Sequence, residues 1–297
     1  ILSFFVILGK IPGGWDHVWT MADAAQKTRI FDFTFEPTAK FFSTSYSFWA
    51  GIIGGCFLTT ASHGTEQLMV QRLLAAKSET ESRWSLLSSW FVIFFQFGLF
   101  LLIGLCLWVY YQDNSLPAPP KTDRIYPEFI WNSLPPGISG LVIAAILAAA
   151  MSNLSAALNS LASTTVMDFL KPMEAARPRS EGEYLRLSKW ITVAWGGVLF
   201  AIGVASQGIP SVLEAGLGIA SIVYGSLLGV FLLGMLTRRT NEPAAMAGMV
   251  AGLALMLYIK FATSIAFTWY VLIGTAATFA VGYLASFVFS SKESHAA

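Results

Sequence analysis

The sequence predicts an all-α membrane protein, a polytopic helical bundle, and three observations lead to this expectation. Hydrophobic residues make up 55% of the 297 residues and charged residues only 12%, whereas a soluble domain carries about 25% charged residues. The mean hydropathy is +0.63. The chain also contains a series of apolar runs of about 20 residues, the length that a helix needs to cross a bilayer.

Seven membrane spans can be placed along the chain. They lie near 48–74, 86–110, 138–160, 190–206, 212–235, 244–262 and 267–289. The first residues, ILSFFVILGK, have the composition of the last turns of a further span, and no basic leader or cleavage site precedes them. No linker divides the chain into soluble and membrane parts. We therefore expect one helical transmembrane domain over 1–297 that is incomplete at its N-terminus.

The distribution of lysine and arginine predicts the orientation of the chain, because cytoplasmic loops of membrane proteins carry an excess of both. Basic residues follow the 48–74 span and the helix that ends near residue 168, and TRRTNEP supplies Arg238 and Arg239. The loop SQGIPSVLEAG has no basic residue and is expected outside, as is the proline-rich loop 111–137. The pattern predicts a multi-pass plasma-membrane protein with a cytoplasmic C-terminus, and the short loops favour a bacterial inner membrane.

The 48–74 span differs from the others because half of it is polar. It begins FWAGIIGGCFLTT, continues ASHGTEQ and ends LMVQRLLAAK. Polar residues at mid-depth of a helix interrupted at glycines are tolerated only where they face protein or a water-filled cavity. Broken helices of this kind form the binding sites of secondary transporters. We predict a helix break in this span.

A second polar stretch lies in the 138–160 span and its continuation, AAILAAAMSNLSAALNSLAS. Ala149, Ser152 and Asn153 stand at i, i+3 and i+4 and therefore share one helix face. If the helix loosens there, the Ala149 carbonyl, the Ser152 hydroxyl and the Asn153 side-chain oxygen can converge on one point. Three neutral oxygens suit a hard cation such as Na⁺. The alternative is hydrogen bonding to a neighbouring helix, worth about 0.6 kcal/mol on average.

Other small residues in the spans are expected to pack helices together. The polar residues that continue the second stretch are assigned to packing: Ser155, Asn159, Ser160 and Ser163. Glycine pairs four residues apart let helix backbones approach closely. These pairs are Gly51 with Gly55, Gly225 with Gly229, and Gly248 with Gly252.

The order of these features resembles the sodium:solute symporter family. Its members typically show a G-T-[ND]-Q-x-x-x-Q-R-x-x-A-A-K run, which is similar to GTEQLMVQRLLAAK at 64–77. They also show an A-A-x-x-S-[ST] helix that ends in D-x-x-K. Here this helix has Ala149, Ala150, Ser152 and Asn153, and it closes with Asp168 and Lys171. The run VFLLGMLTRRTNEPAAMAG looks like the family's next cytoplasmic turn.

The resemblance implies a leucine-transporter-like inverted-repeat fold. This chain looks like the second half of that fold with two extra C-terminal helices. The resemblance also implies that Ala149, Ser152 and Asn153 supply one share of a sodium site and that the first repeat supplies the rest. The missing N-terminal repeat of the same protein is therefore expected as a partner. The family usually has Ser or Thr where Asn153 stands, so the site size and ion preference of this chain could differ.

The resemblance places the substrate beside residues 62–67, with Ser62, Thr65, Glu66 and Gln67 as the candidate binding residues. Glu66 stands where many relatives have Asn or Asp. A carboxylate at mid-depth is costly unless it is paired or solvated. Glu66 could therefore meet a cationic group of the substrate or a cation of the first repeat. The alternative is a position at the rim of an inner vestibule near Arg72.

The sequence therefore predicts a sodium-coupled secondary active symporter that imports a small organic solute by alternating access. Na⁺ is the coupling ion, no other cofactor is expected, and the Cys and His residues lack metal-site spacing. A net charge of +1 argues against a nucleic-acid partner. Two alternatives stay open: a membrane sensor or receptor domain of the same fold, and an intramembrane enzyme with His63 and Glu66 as its reactive pair. Monocarboxylates, amino acids, sugars and similar solutes all remain candidate substrates.

Overall fold

The structure is a computed structural model that describes residues 1–35, 38–117, 119–174 and 179–289, apart from the side chains of residues 67, 68, 71 and 72. This described part is helical and contains no strand. Six of its helices are long and apolar enough to cross a membrane. They are Glu79–Asp113, Ile138–Met173, Glu181–Gly208, Val212–Leu236, Glu242–Ala262 and Phe267–Val288. The predicted class of an all-α polytopic membrane protein is confirmed.

The described residues form thirteen α-helices. These are α1 (Leu2–Gly9), α2 (Gly14–Ala24), α3 (Ala39–Ser43), α4 (Gly55–Gly64), α5 (Gln67–Leu74), α6 (Glu79–Asp113), α7 (Ile125–Ser133), α8 (Ile138–Thr164), α9 (Lys171–Met173), α10 (Glu181–Ala205), α11 (Val212–Leu236), α12 (Glu242–Ala262) and α13 (Tyr270–Val288). Two π-helical turns lie at Ala50–Gly54 and Thr165–Leu170. The first leads into α4 and the second continues α8.

The stretch 48–74 is not one helix in the structure. The π-helical turn and α4 run as far as Gly64, and α5 begins at Gln67. Thr65, between the two helices, has φ −122° and ψ −16°, which departs from α-helical geometry. The polar residues of this stretch therefore surround an interruption of the helix.

Several long helices extend past the apolar runs in the sequence because polar residues form their ends. α10 begins at Glu181, nine residues before the apolar run at 190–206. The Ser180 side chain accepts a hydrogen bond from the Glu183 N–H, and the Glu183 carboxylate accepts one from the Ser180 N–H at 2.9 Å. This reciprocal capping box satisfies N–H groups that a helix start leaves unpaired. Asn241 caps α12 in a related way, since its side chain accepts from the Ala244 N–H at 3.2 Å.

The chain divides into two compact units. The first unit comprises Ile1–Trp15 and Ile103–Val212, and the second comprises Asp16–Leu102 and Leu213–Ala297. In the first unit α8 packs against α10, and the Trp195 indole N–H of α10 donates to the Thr165 hydroxyl at 3.1 Å. This bond holds the π-helical end of α8 on its neighbour.

In the second unit, glycines allow α11, α12 and α13 to approach closely. A Cβ atom on Gly225 would lie 3.0 Å from the Gly274 Cα, and one on Gly248 would lie 2.6 Å from the Thr278 carbonyl oxygen. The packing expected of the pairs 225/229 and 248/252 is therefore present. The pair 51/55 is a wrong prediction, since among the described residues no atom lies within 4 Å of a Cβ on either glycine. Gly54 instead faces the backbone of Thr268.

Candidate functional site

The interruption between α4 and α5 is a hydrogen-bonded turn. The Thr65 N–H and hydroxyl both donate to the Ala61 carbonyl, at 2.9 and 2.7 Å. The Glu66 carbonyl accepts from the N–H groups of Val70 at 2.9 Å and Met69 at 3.1 Å. Thr65 thus caps the C-terminal end of α4, and the Glu66 carbonyl accepts the first hydrogen bonds of α5. These bonds fix the positions of both site residues.

The Glu66 side chain bonds to α11. Its Oε2 atom accepts a hydrogen bond from the Tyr224 hydroxyl at 2.8 Å. Both side chains are half-buried. Because Glu66 and Tyr224 are 158 residues apart, sequence reasoning missed this partner. The available signal was a phenol inside the hydrophobic run 212–235, since buried tyrosine hydroxyls usually find a hydrogen-bond partner.

Ser62 and His63 make their bonds within α4. The Ser62 hydroxyl lies 3.1 Å from the Thr59 carbonyl oxygen. The His63 Nδ1 atom lies 3.1 Å from the same oxygen and 3.0 Å from the Ser62 hydroxyl. An intramembrane enzyme would need His63 and Glu66 to act as a pair. Among the described contacts these two side chains are not hydrogen-bonded to each other, and Glu66 bonds to Tyr224 instead. The Gln67 backbone begins α5, but its side chain and that of Arg72 lie outside the described residues.

A second tyrosine–glutamate bond joins the segment before the break to the start of α11. The Tyr46 hydroxyl donates to Oε1 of Glu214 at 2.5 Å. This hydrogen bond to a carboxylate, together with burial and the negative charge, raises the pKa of Tyr46 to about 12. The segment 46–66 is thus bonded to α11 at two points, Glu214 and Tyr224.

In the first unit, Ala149, Ser152 and Asn153 share an exposed face of α8. The helix is continuous from Ile138 to Thr164, and the Asn153 side-chain N–H donates to the Ala149 carbonyl at 3.2 Å. The expected loosening at this level is therefore absent, and the three oxygens do not meet at one point. The reason is the local sequence: alanine is the strongest helix former, and AAILAAAM precedes the polar residues. The helix widens later, at Thr165–Leu170.

The polar residues that follow Ser152 line an open groove rather than a packed interface. Ser152, Ser155, Asn159 and Thr192 all border this groove. Ser155, Asn159 and Ser163 are exposed, so the helix packing predicted for them is not found among the described residues. Thr192 lies in α10 and was not identified from the sequence.

The two groups of candidate residues belong to different units. Ser62, Thr65 and Glu66 lie in the second unit around the break, and Glu66 gains Tyr224 as a partner. Ala149, Ser152 and Asn153 lie in the first unit on α8. Each group is formed by one continuous stretch of chain, which is why both could be found from the sequence.

Comparison with known proteins identifies the family. The profile of the sodium:solute symporter family matches residues 1–252. The chain belongs to this family. It is 30% identical over 302 residues to the sodium/sialic acid symporter NanT of Aliivibrio fischeri, covering 98% of this chain and 57% of that protein. It is 28% identical over 280 residues to the human sodium/iodide cotransporter, covering 89% of this chain and 41% of that protein.

A solved structure supports the same relationship. A Na⁺-coupled sialic acid symporter in its substrate-bound, outward-open state matches with a TM-score of 0.79 at 26% identity, over 97% of this chain and 59% of that chain. The chain thus spans between 41% and 59% of the lengths of these relatives.

Proposed function

We propose that the chain forms part of a sodium-coupled secondary transporter that imports a small organic solute by alternating access. The observation that carries the proposal is the interruption between α4 and α5, with the half-buried Glu66 inside it. Broken helices are tolerated in membranes only where they line protein or a cavity, and transporters bind substrates and ions at such breaks. Membership of the sodium:solute symporter family supports the same function.

Sodium binds, in this proposal, at Ala149, Ser152 and Asn153. Rotation of the Asn153 side-chain amide by about 180° exchanges its oxygen and nitrogen, which places the oxygen beside the Ala149 carbonyl. The exposed face of α8 offers only part of a coordination shell. The remaining ligands come from an N-terminal repeat of the same protein, a proposal supported by the share of the relatives' length that this chain spans.

The solute binds beside Ser62, Thr65, Glu66 and Gln67. Sodium stabilises an outward-open state, the solute enters, and both are released inside. The protein is accordingly a carrier and not an enzyme, and it lies in the plasma membrane, in a bacterium the inner membrane, with its C-terminus in the cytoplasm. The distribution of Lys and Arg in the loops supports this orientation.

One sodium ion is energetically sufficient for uptake. Moving one charge across 100 mV supplies about 2.3 kcal/mol, and a tenfold sodium gradient adds about 1.4 kcal/mol. Together these terms support a roughly 500-fold accumulation of a neutral solute.

The test is the thermal stability of the purified full-length protein across a sodium series, with potassium replacing sodium at constant ionic strength. We expect saturable stabilisation by sodium that Ser152→Ala loses. Ser163→Ala is the matched control, because Ser163 is an exposed serine further along the same helix, and it should keep the response. Wild-type stability that is indifferent to sodium, or an equal response in Ser152→Ala, would contradict the proposed site.

A further inference from the structure

The hydroxyl groups around the helix break already use their hydrogens within the protein. The Thr65 hydroxyl donates to the Ala61 carbonyl, the Ser62 hydroxyl donates to the Thr59 carbonyl, and the Tyr224 hydroxyl donates to Glu66. A hydroxyl has a single hydrogen and two acceptor lone pairs. Each of these groups can therefore only accept further hydrogen bonds.

His63 adds another acceptor. Its Nδ1 atom faces two oxygens, the Thr59 carbonyl and the Ser62 hydroxyl. Because the Thr59 carbonyl can only accept, Nδ1 is the donor in that contact, and in the singly protonated form of the ring Nε2 is then an acceptor. The side chains described at the break thus offer acceptors to a solute and no unused donor hydrogen.

Glu66 gives this acceptor-rich region a negative charge. Its Oε2 atom receives the Tyr224 hydrogen bond, and a phenol donates a hydrogen without neutralising a carboxylate. A half-buried carboxylate in a segment that crosses the membrane is expensive without a cationic partner, and among the described side chains Glu66 bonds to Tyr224 alone. Acceptors grouped around such a carboxylate complement a ligand that carries both positive charge and several N–H groups.

We infer that the transported solute presents a protonated amine or a similar donor-rich cationic nitrogen to Glu66. The inference rests on the proposed function, because it assigns a substrate class to that same site. An ammonium group brings three donors and no acceptor, and its hydrogen bonds to a carboxylate are charge-assisted and strong. A carboxylate or a halide brings like charge and no donor. Sialic acid and iodide, named for the relatives above, are anionic, so the inferred solute belongs to a different chemical class.

The experiment measures thermal stabilisation of the full-length protein in saturating sodium by three matched probes: 4-aminobutanol, butane-1,4-diol and 4-hydroxybutyrate. A wider panel of amines, polyols and carboxylates accompanies them. We expect amines to stabilise at the lowest concentrations. Glu66→Gln keeps an acceptor oxygen for Tyr224 and removes the charge, so the half-saturating amine concentration should rise about tenfold or more.

Two further variants make the test specific. Glu214→Gln removes the carboxylate charge of the other tyrosine–glutamate bond on α11, and it should leave the response to amines unchanged. Glu66→Asp keeps the charge on a shorter side chain and should retain a preference for amines over diols and carboxylates, which guards against a folding defect of Glu66→Gln.

Several results would overturn the inference: stabilisation by carboxylates or diols in preference to amines, or equal amine affinity in Glu66→Gln. An absence of any amine effect while sodium still stabilises the protein also overturns it, and leaves the proposed sodium coupling intact. Loss of the sodium response itself would instead contradict the proposed function.

Discussion

Gly248 lies against the backbone of α13, and the substitution Gly248→Ala tests whether this close approach stabilises the bundle. The new methyl group would lie 2.6 Å from the Thr278 carbonyl oxygen and 2.9 Å from the Gly282 Cα. Close carbon–oxygen contacts in proteins are about 3.3 to 3.6 Å, so α12 and α13 would have to separate by about 0.7 to 1.0 Å. Backbone atoms cannot rotate away as a flexible side chain would.

The expected cost follows from two opposing effects. Overpacking of this kind destabilises proteins by about 1 to 3 kcal/mol, while alanine is favoured over glycine in a helix by up to about 1 kcal/mol. We expect a net loss of up to about 2 kcal/mol in the free energy of unfolding relative to the wild type, and of about 1 to 3 kcal/mol relative to a glycine-to-alanine change that meets no close contact. The matched control is Gly234→Ala in α11, where among the described residues no atom lies within 4 Å of the new methyl group, so only the favourable helix effect applies.

The assay is reversible unfolding of the purified protein in mixed micelles by titration with sodium dodecyl sulfate, followed by tryptophan fluorescence. Gly248→Ala should unfold at lower detergent fraction than the wild type, and Gly234→Ala at equal or higher fraction. If Gly248→Ala proves as stable as Gly234→Ala, the close approach of α12 and α13 does not contribute to stability.

The remaining predictions concern hydrogen bonds at the ends of elements. The pKa of Tyr46 is raised from 10.0 to about 12. Its hydrogen bond to Glu214 should therefore stabilise the protein fully below pH 10, and this stabilisation should disappear as the pH rises towards 12. The difference in unfolding free energy between wild type and Tyr46→Phe should shrink over this pH range. A difference that stays constant with pH would contradict this prediction. Ser180→Ala removes the capping box with Glu183 and should cost about 1 kcal/mol, with faster amide exchange confined to the first turn of α10. Asn241→Ala should do the same at the start of α12, and unchanged exchange at both helix starts would count against these caps.

Features with a local cause could be predicted from the sequence. Whether a segment forms a membrane-spanning helix depends on the length of its own apolar run and on the cost of leaving its own backbone groups unpaired in lipid. Hence the long helices followed from hydropathy, and the break followed from the polar residues around Gly64. The partner of Glu66 could not be predicted in the same way, because contact with Tyr224 depends on how distant helices pack.

The glycine pair 51/55 shows a different reason for failure. A spacing of four residues places side chains on one face only in a regular α-helix. The π-helical turn at Ala50–Gly54 changes the number of residues per turn, so Gly54 faces the neighbouring backbone instead. The unbroken geometry of α8 at Asn153 is the converse case, since the strong helix preference of the alanine run outweighs the local polar groups.

The two tyrosine–glutamate bonds of α11 have a mechanical consequence. Glu214 and Tyr224 are ten residues apart in α11, which corresponds to about 15 Å along a helix axis. With a single hydrogen bond, α11 could tilt about that point. With two hydrogen bonds at separate points, it cannot tilt about either one while the other remains formed. Tilting α11 away from the segment 46–66 therefore requires at least one of these two hydrogen bonds to break.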